Sequence, residues 1–240
     1  MASSDTALRL RGISAAYGAR DVLHDVDLEV GRGEVLALFG HNGAGKTTAL
    51  RIAVGLKRPL AGSVALLGND LGRMSCSART RSGLALVPEG VAGIFPTLTV
   101  RQNLAAAEPA TRARRGDVDI EANLREAFGE VLVERMDQVA GSMSGGQRQM
   151  LAISLALIRR PAVLLLDEPS TGLGPSVVQR IFTVVRELSE KAGTAVVIVE
   201  QDVAAALQVA DRIAILQSGI LVGEYTRESC PLPTELWKFF

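Results

Sequence analysis

Residues 34–56 run EVLALFGHNGAGKTTALRIAVGL, and their reading decides the fold. The first six are a short apolar run of strand length, and the stretch from Thr48 onward has a helical pattern. Between them, residues 40–47 fit G-x-x-x-x-G-K-[ST] in the strand–loop–helix setting that such a loop needs. Glycines let the backbone fold so that successive N–H groups face phosphate oxygens. The helix that follows adds a favourable dipole. Lys46 can reach β- and γ-phosphates, and the Thr47 hydroxyl suits Mg²⁺. Gly40, His41, Asn42, Gly43, Ala44, Gly45, Lys46, Thr47 and Thr48 are therefore expected to line a nucleotide, with His41 a loop residue rather than a base.

A second acidic element, VLLLDE at residues 163–168, completes the chemistry. A buried apolar strand that ends in two carboxylates places them at its C-terminal edge, where α/β folds bind ligands. Asp167 suits the Mg²⁺ shell, and Glu168 can polarise an attacking water. A phosphate loop with this acidic strand points to a nucleotide triphosphatase.

The rest of the chain supports an α/β core. Residues 195–199 (AVVIV) form another fully apolar run, and residues 175–191 carry an apolar stripe at helical spacing. That order is the βαβ signature. Residues 7–31 alternate instead, as in antiparallel strands with one wet face. Residues 98–158 show no good strand and suggest helices near 99–107, 120–135 and 145–158, with a solvated loop at TRARRGDVD.

Composition narrows the setting. Hydrophobic residues make up 48% of the 240 and charged residues 22%, enough for a full core. The 26 basic and 26 acidic residues balance, so nothing in the charge calls for nucleic acid or an anionic membrane. Cys76 and Cys230 have no metal-ligand spacing and suit free thiols in a reducing compartment. No signal-peptide core and no run of spanning length occurs, so work at a membrane requires docking to another protein.

SMSGGQRQM at residues 142–150 narrows the class. Ser144 is a good N-cap, and Gly145 and Gly146 expose amides at a helix start, which again suits phosphate. One nucleotide does not need two cradles. Ser144, Gly145, Gly146 and Gln147 are therefore expected to serve the nucleotide of another copy or subunit.

Together these stretches resemble the ATP-binding subunits of ABC transporters, over about residues 7–225. GHNGAGKTT is similar to their Walker A, SGGQ to their signature and VLLLDEP to their Walker B. The resemblance implies a P-loop NTPase (RecA-like) core with an N-terminal antiparallel β subdomain and an inserted helical subdomain. The expected division is core 1–90 and 159–240, with the helical part about 91–158. It also implies ATP and Mg²⁺ as ligands and a head-to-tail dimer with a second ATPase subunit, sister or self. Membrane permease subunits are the expected partners, with a periplasmic or extracellular solute-binding protein acting indirectly and no nucleic acid. Tyr17 matches the aromatic position that stacks on adenine.

Three departures refine the match. The usual glutamine after the strand ALV is Glu89 here, the usual aspartate of S-x-G-L-D-P is Gly174, and the usual histidine at the last core strand is Gln201. VPEG, STGLGP and VEQD together resemble one branch, the second ATPase of branched-chain amino-acid importers, with relatives serving urea and short amides. Gln201 still donates through its NH₂ to a γ-phosphate, and Asp202 is expected to cap the next helix. Lys46, Glu168 and Gln201 form the expected catalytic set, and Thr47, Asp167 and Glu89 the metal set. The expected activity is ATP hydrolysis that drives import from the cytoplasmic face of the membrane. A soluble ABC ATPase without transport and a weakly catalytic regulatory partner are the other readings. Glu89 keeps an acceptor near the metal but adds a charge, which suggests a link between nucleotide state and permease. Glu89→Gln should alter transport or permease-stimulated hydrolysis; if transport, ATPase rate and stimulation all stay unchanged, Glu89 has no such role.

Overall fold

A computed structural model describes residues 5–90, 93–107, 120–201 and 203–230, apart from the side chains of residues 120, 121 and 123. The expected loop TRARRGDVD, the helix cap at Asp202 and the tail after Cys230 lie outside the described residues, except that Cys230 itself is a free thiol, as is Cys76.

Two sheets share the core. The first has the order β2-β1-β4-β5 and is antiparallel, built from β1 (Thr6–Tyr17), β2 (Arg20–Gly31), β4 (Ala61–Leu66) and β5 (Asn69–Asp70). The second has the order β10-β9-β3-β8-β7-β6. Its strands are β3 (Val35–Phe39), β6 (Leu84–Val87), β7 (Val163–Asp167), β8 (Ala195–Val199), β9 (Arg212–Gln217) and β10 (Ile220–Thr226). All of these run parallel except β10, which returns antiparallel along β9. The three apolar runs expected to be strands are thus adjacent in space as β3, β8 and β7.

Their composition follows from what covers them. Every residue of β3, β7 and β8 is buried. Successive side chains point to opposite faces. Val163 and Leu165 of β7, with Val197 and Val199 of β8, pack in a cluster with the antiparallel sheet and α1 (Lys46–Ala53). Leu164 and Leu166, with Val196 and Ile198, pack on the other side among α6 (Gly145–Leu157) and α7 (Pro175–Ala192). A strand covered on both faces has no polar position inside it.

The middle of the chain is helical, as expected: α3 (Val100–Ala107), α4 (Ile120–Phe128), α5 (Glu130–Val133) and α6. Among the described residues the nearest thing to a strand there is one bridge between Thr99 and Val139. The expected single helix over 120–135 is two, because Gly129 stands at φ 65 and stops α4. A short α2 (Cys76–Arg81) and α8 (Val203–Leu207) complete the fold.

The rear of α1 is held by a buried cation. Arg79 is 4% exposed, and its guanidinium donates to the carbonyls of Ile52, Ala53 and Leu71, each at 2.8 Å. Ile52 and Ala53 end α1, where carbonyls lack partners and the dipole favours positive charge. The Ile52 and Leu71 carbonyls also accept the Gly55 and Met74 N–H groups, at 3.1 and 2.9 Å, so Arg79→Met should leave the Ala53 carbonyl unsatisfied, remove three charge-assisted bonds and cost about 3 kcal/mol. A thermal melt should show Tm lower by roughly 10 °C; an unchanged Tm would mean that water replaces the guanidinium without loss.

Candidate nucleotide site

The parallel sheet delivers the motif residues to one edge. The loop 40–45 leaves the C-terminal end of β3, Asp167 ends β7, and Glu200 and Gln201 follow β8, which lies between the other two. The loop path needs its glycines. Gly40 passes so close to β9 that a Cβ would come within 2.1 Å of the Leu216 carbonyl oxygen. Gly45, at φ 109, would place one 2.6 Å from Leu23 Cδ2. Gly45 also caps α1 without a side-chain hydrogen bond, so the first amides of that helix keep their capacity for an anion.

Lys46 is 4% exposed and folds back over this loop, where its ammonium donates to the carbonyls of Gly40 at 2.5 Å and His41 at 3.1 Å. Burial pulls its pKa down, and the charges of Glu168, Asp167 and Glu89 push it back up. The His41 ring bonds the Asn42 carbonyl at 2.8 Å.

The Thr47 hydroxyl donates to Asp167 Oδ1 at 3.0 Å, so the two expected metal ligands meet although 120 positions apart. Burial pushes the Asp167 carboxyl up; the Thr47 hydrogen bond opposes this, and the nearby charges of Glu168 and Glu89 add to it. Glu89 itself is exposed just beyond β6 and acts on the site through its charge.

Glu168 is 8% exposed and has a left-handed backbone, φ 48, which is uncommon for a side chain of this kind. Its N–H donates to the Val199 carbonyl at 2.9 Å. One carboxylate oxygen, Oε2, accepts the Gln201 amide at 2.7 Å and the Thr171 hydroxyl at 3.2 Å. Gln201 thus touches the expected catalytic acid directly.

Tyr17 ends β1 at the tip of the β1–β2 turn and is 47% exposed, so it is not a core tyrosine. Lys57 Nζ stands 3.9 Å from the ring centroid and donates to the Ala16 carbonyl at 2.6 Å. One ring face carries this cation.

Ser144 caps α6 as expected. Ser144 Oγ accepts the Gln147 N–H at 3.3 Å, and Gln147 Oε1 accepts the Ser144 N–H at 3.0 Å, a reciprocal cap. Gly146 is closely approached, since a Cβ would lie 3.1 Å from both Val177 methyls and Val177 would have to shift. At Gly145 the nearest atom would be 3.9 Å away, so this chain does not demand that glycine. α6 packs against β6, three strand spacings from β3, or about 14 Å. Gly174 caps α7 at φ −72 with nothing near its missing Cβ, so its conformation and space do not exclude the usual aspartate.

Three residues were not anticipated. Thr171 holds Glu168, as above. Ser170 donates from its N–H and hydroxyl to Glu200, at 3.0 and 2.8 Å, and Glu200 is 1% exposed. Burial pushes the Glu200 carboxyl up against the pull of those hydrogen bonds and that of the Gln201 N–H. A glutamate that ends a wholly apolar strand was the available signal.

Residues 23–171 match the family described as ABC transporter. The chain belongs to that family. This ABC cassette is 42% identical over 210 residues to the high-affinity branched-chain amino acid transport ATP-binding protein BraG of Pseudomonas aeruginosa, covering 88% of each. It is 36% identical over 212 residues to a probable branched-chain amino acid transport ATP-binding protein LivF of Archaeoglobus fulgidus, covering 88% of this chain and 89% of that one. Among solved structures it is similar to an ATP-binding subunit of an ABC transporter, with TM-score 0.81 and 28% identity over 98% of this chain and 93% of the other. It is also similar to a dimeric cassette in a post-hydrolysis state bound to ADP and Pi, with TM-score 0.77 and 25% identity over 92% and 98%. The expected P-loop NTPase fold is therefore correct, and the chain is an ATP-binding transporter subunit with ATPase activity. Such cassettes dimerise and associate with permease components at the membrane. Among the described residues no helix is long and apolar enough to cross one. Tyr17→Ala should weaken ATP binding about tenfold by removing a stacking platform. Equal affinity of the two proteins in an equilibrium titration would remove Tyr17 from the base site.

Proposed function

We propose that this cassette hydrolyses ATP to drive import of branched-chain amino acids. The observation that carries the catalytic part is the 2.7 Å contact between Gln201 and Glu168. The amide takes up a hydrogen-bonding role beside the catalytic carboxylate, so the absence of histidine leaves a competent site. The solute assignment rests on the likeness to BraG and LivF, at 42% and 36% identity, and on the trio VPEG, STGLGP and VEQD.

The geometry supports a role for each residue in hydrolysis. Residues 40–48 wrap the phosphates, Lys46 exchanges its carbonyl partners for β- and γ-oxygens, and Tyr17 stacks on adenine. Glu168 orients the attacking water, and Gln201 donates to the γ-phosphate while staying next to Glu168. Thr47, Asp167 and Glu89 supply oxygen only, which suits Mg²⁺. When bound, the ion neutralises phosphate charge.

The signature residues Ser144, Gly145, Gly146 and Gln147 meet the nucleotide of a second ATPase subunit in a head-to-tail dimer. The free space at Gly145 supports this, because a bound phosphate rather than this chain would then explain the missing side chain. The helical part, about 91–158, meets the permease between the core segments 1–90 and 159–240. Phe95 and Val139 support that face: they are 54% and 44% exposed, on segments joined by the Gly141-to-Pro96 and Ala140-to-Leu98 hydrogen bonds. Docking there would place the subunit peripherally on the cytoplasmic face, with the solute-binding protein reached only through the permease.

Glu168→Gln should still bind ATP and lose nearly all turnover, measured as phosphate release; full turnover would remove Glu168 as the catalytic carboxylate. In vesicles with the co-purified membrane partners, labelled leucine should accumulate and the Glu168→Gln cassette should abolish it. Uptake of urea without leucine would assign the subunit to the amide branch instead.

A further inference from the structure

Glu200 is a buried acid that this reaction scheme leaves unused. It follows β8 directly and is 1% exposed. Its Oε1 accepts the Ser170 N–H at 3.0 Å. Its Oε2 accepts the Ser170 hydroxyl at 2.8 Å and the Gln201 N–H at 3.2 Å. Burying a carboxylate is costly, and here the charge of Glu168 adds to the cost. Three donors aimed at one group are what make the position tenable.

The owners of those donors define the role. Gln201 and Thr171 are the two residues whose side chains hold Glu168 Oε2. They come from different segments, the tip of β8 and the loop after β7. Glu200 binds the backbone of Gln201 and both polar groups of Ser170, the neighbour of Thr171. It therefore ties together the two arms that aim Glu168, whose own backbone at φ 48 depends on its surroundings.

We propose that Glu200 is a positioning residue for ATP hydrolysis, locking residues 170–171 to the tip of β8 and so setting the orientation of the Glu168 carboxylate. This rests on the reading of Glu168 as the acid that orients the water. A glutamine at 200 would offer one acceptor and one NH₂. With the NH₂ in the place of Oε1 it opposes the Ser170 N–H; in the place of Oε2 it opposes the Gln201 N–H. Either way one backbone donor loses its acceptor. The loop that binds phosphate is untouched, so the effect falls on kcat and not on ATP affinity.

The test measures steady-state hydrolysis and equilibrium ATP binding on the full chain. Glu200→Gln should lower kcat about tenfold or more, with ATP affinity held within about twofold. In a Thr171→Ala/Gln201→Ala background the same substitution should add little further loss, because the arms it acts through are gone. An unchanged kcat, or a loss repeated in full in that background, overturns the proposal. Should Glu200→Gln not fold, Ser170→Ala decides, since it removes one donor and keeps the carboxylate. A fall in kcat of about threefold at unchanged affinity supports the role, and an unchanged kcat overturns it. Glu168→Gln separates the two readings. Full turnover there overturns the assignment of Glu168 and with it the role of Glu200; lost turnover there with normal Glu200→Gln overturns the role of Glu200 alone.

Discussion

Burial of β3, β8 and β7 on both faces is the constraint on which the structure depends. No residue of these strands meets solvent, so none can be polar until the strand ends. Polar chemistry is forced out to the C-terminal edge, and because the three strands are neighbours it arrives there side by side. Lys46, Asp167, Glu168, Glu200 and Gln201 come from distant parts of the chain and meet for that reason. A slip of one residue in any of the three would exchange its two faces and separate the site from its supports.

Such an edge gathers charge. Asp167, Glu168 and Glu89 all act on Lys46, and Glu168 acts on Asp167 and Glu200. Burial works against every one of these shifted charges, so the site depends on aligned hydrogen bonds: Thr47 on Asp167, Gln201 and Thr171 on Glu168, Ser170 on Glu200. Lys46 is held by two carbonyls in the same way. A phosphate arriving at the loop is thus met by a cation whose partners are neutral and can be exchanged. Little reorganisation is needed, which is the condition for electrostatic catalysis.

The exchanged family positions differ in kind. Gln201 replaces a histidine yet keeps a donor on Glu168. Gly174 gives up a carboxylate at a helix cap where this chain has room for one. Nothing among the described residues explains that loss. A side chain at Gly146 would press on Val177, whereas at its neighbour Gly145 none of the described residues crowds one.

Much of this was legible in the order of residues. A phosphate loop, an acidic strand end and a capped S-G-G-Q helix are local patterns, and local backbone chemistry makes each of them recognisable alone. The apolar runs likewise announced strands covered on both faces. The sequence by itself determined which strands would be buried, where a glycine loop would enter a helix and which acids stood at strand ends. It did not show that helix 120–135 would break at Gly129, because a glycine inside a periodic pattern is tolerated as often as it terminates. Nor did it show that Glu200 would turn inward to Ser170 while Gln201 turned to Glu168. Those partners are 30 and 33 positions apart. Only the tertiary structure decided them, because a buried carboxylate takes whichever donors the packed neighbouring strand brings within reach, and no spacing along the chain encodes that choice.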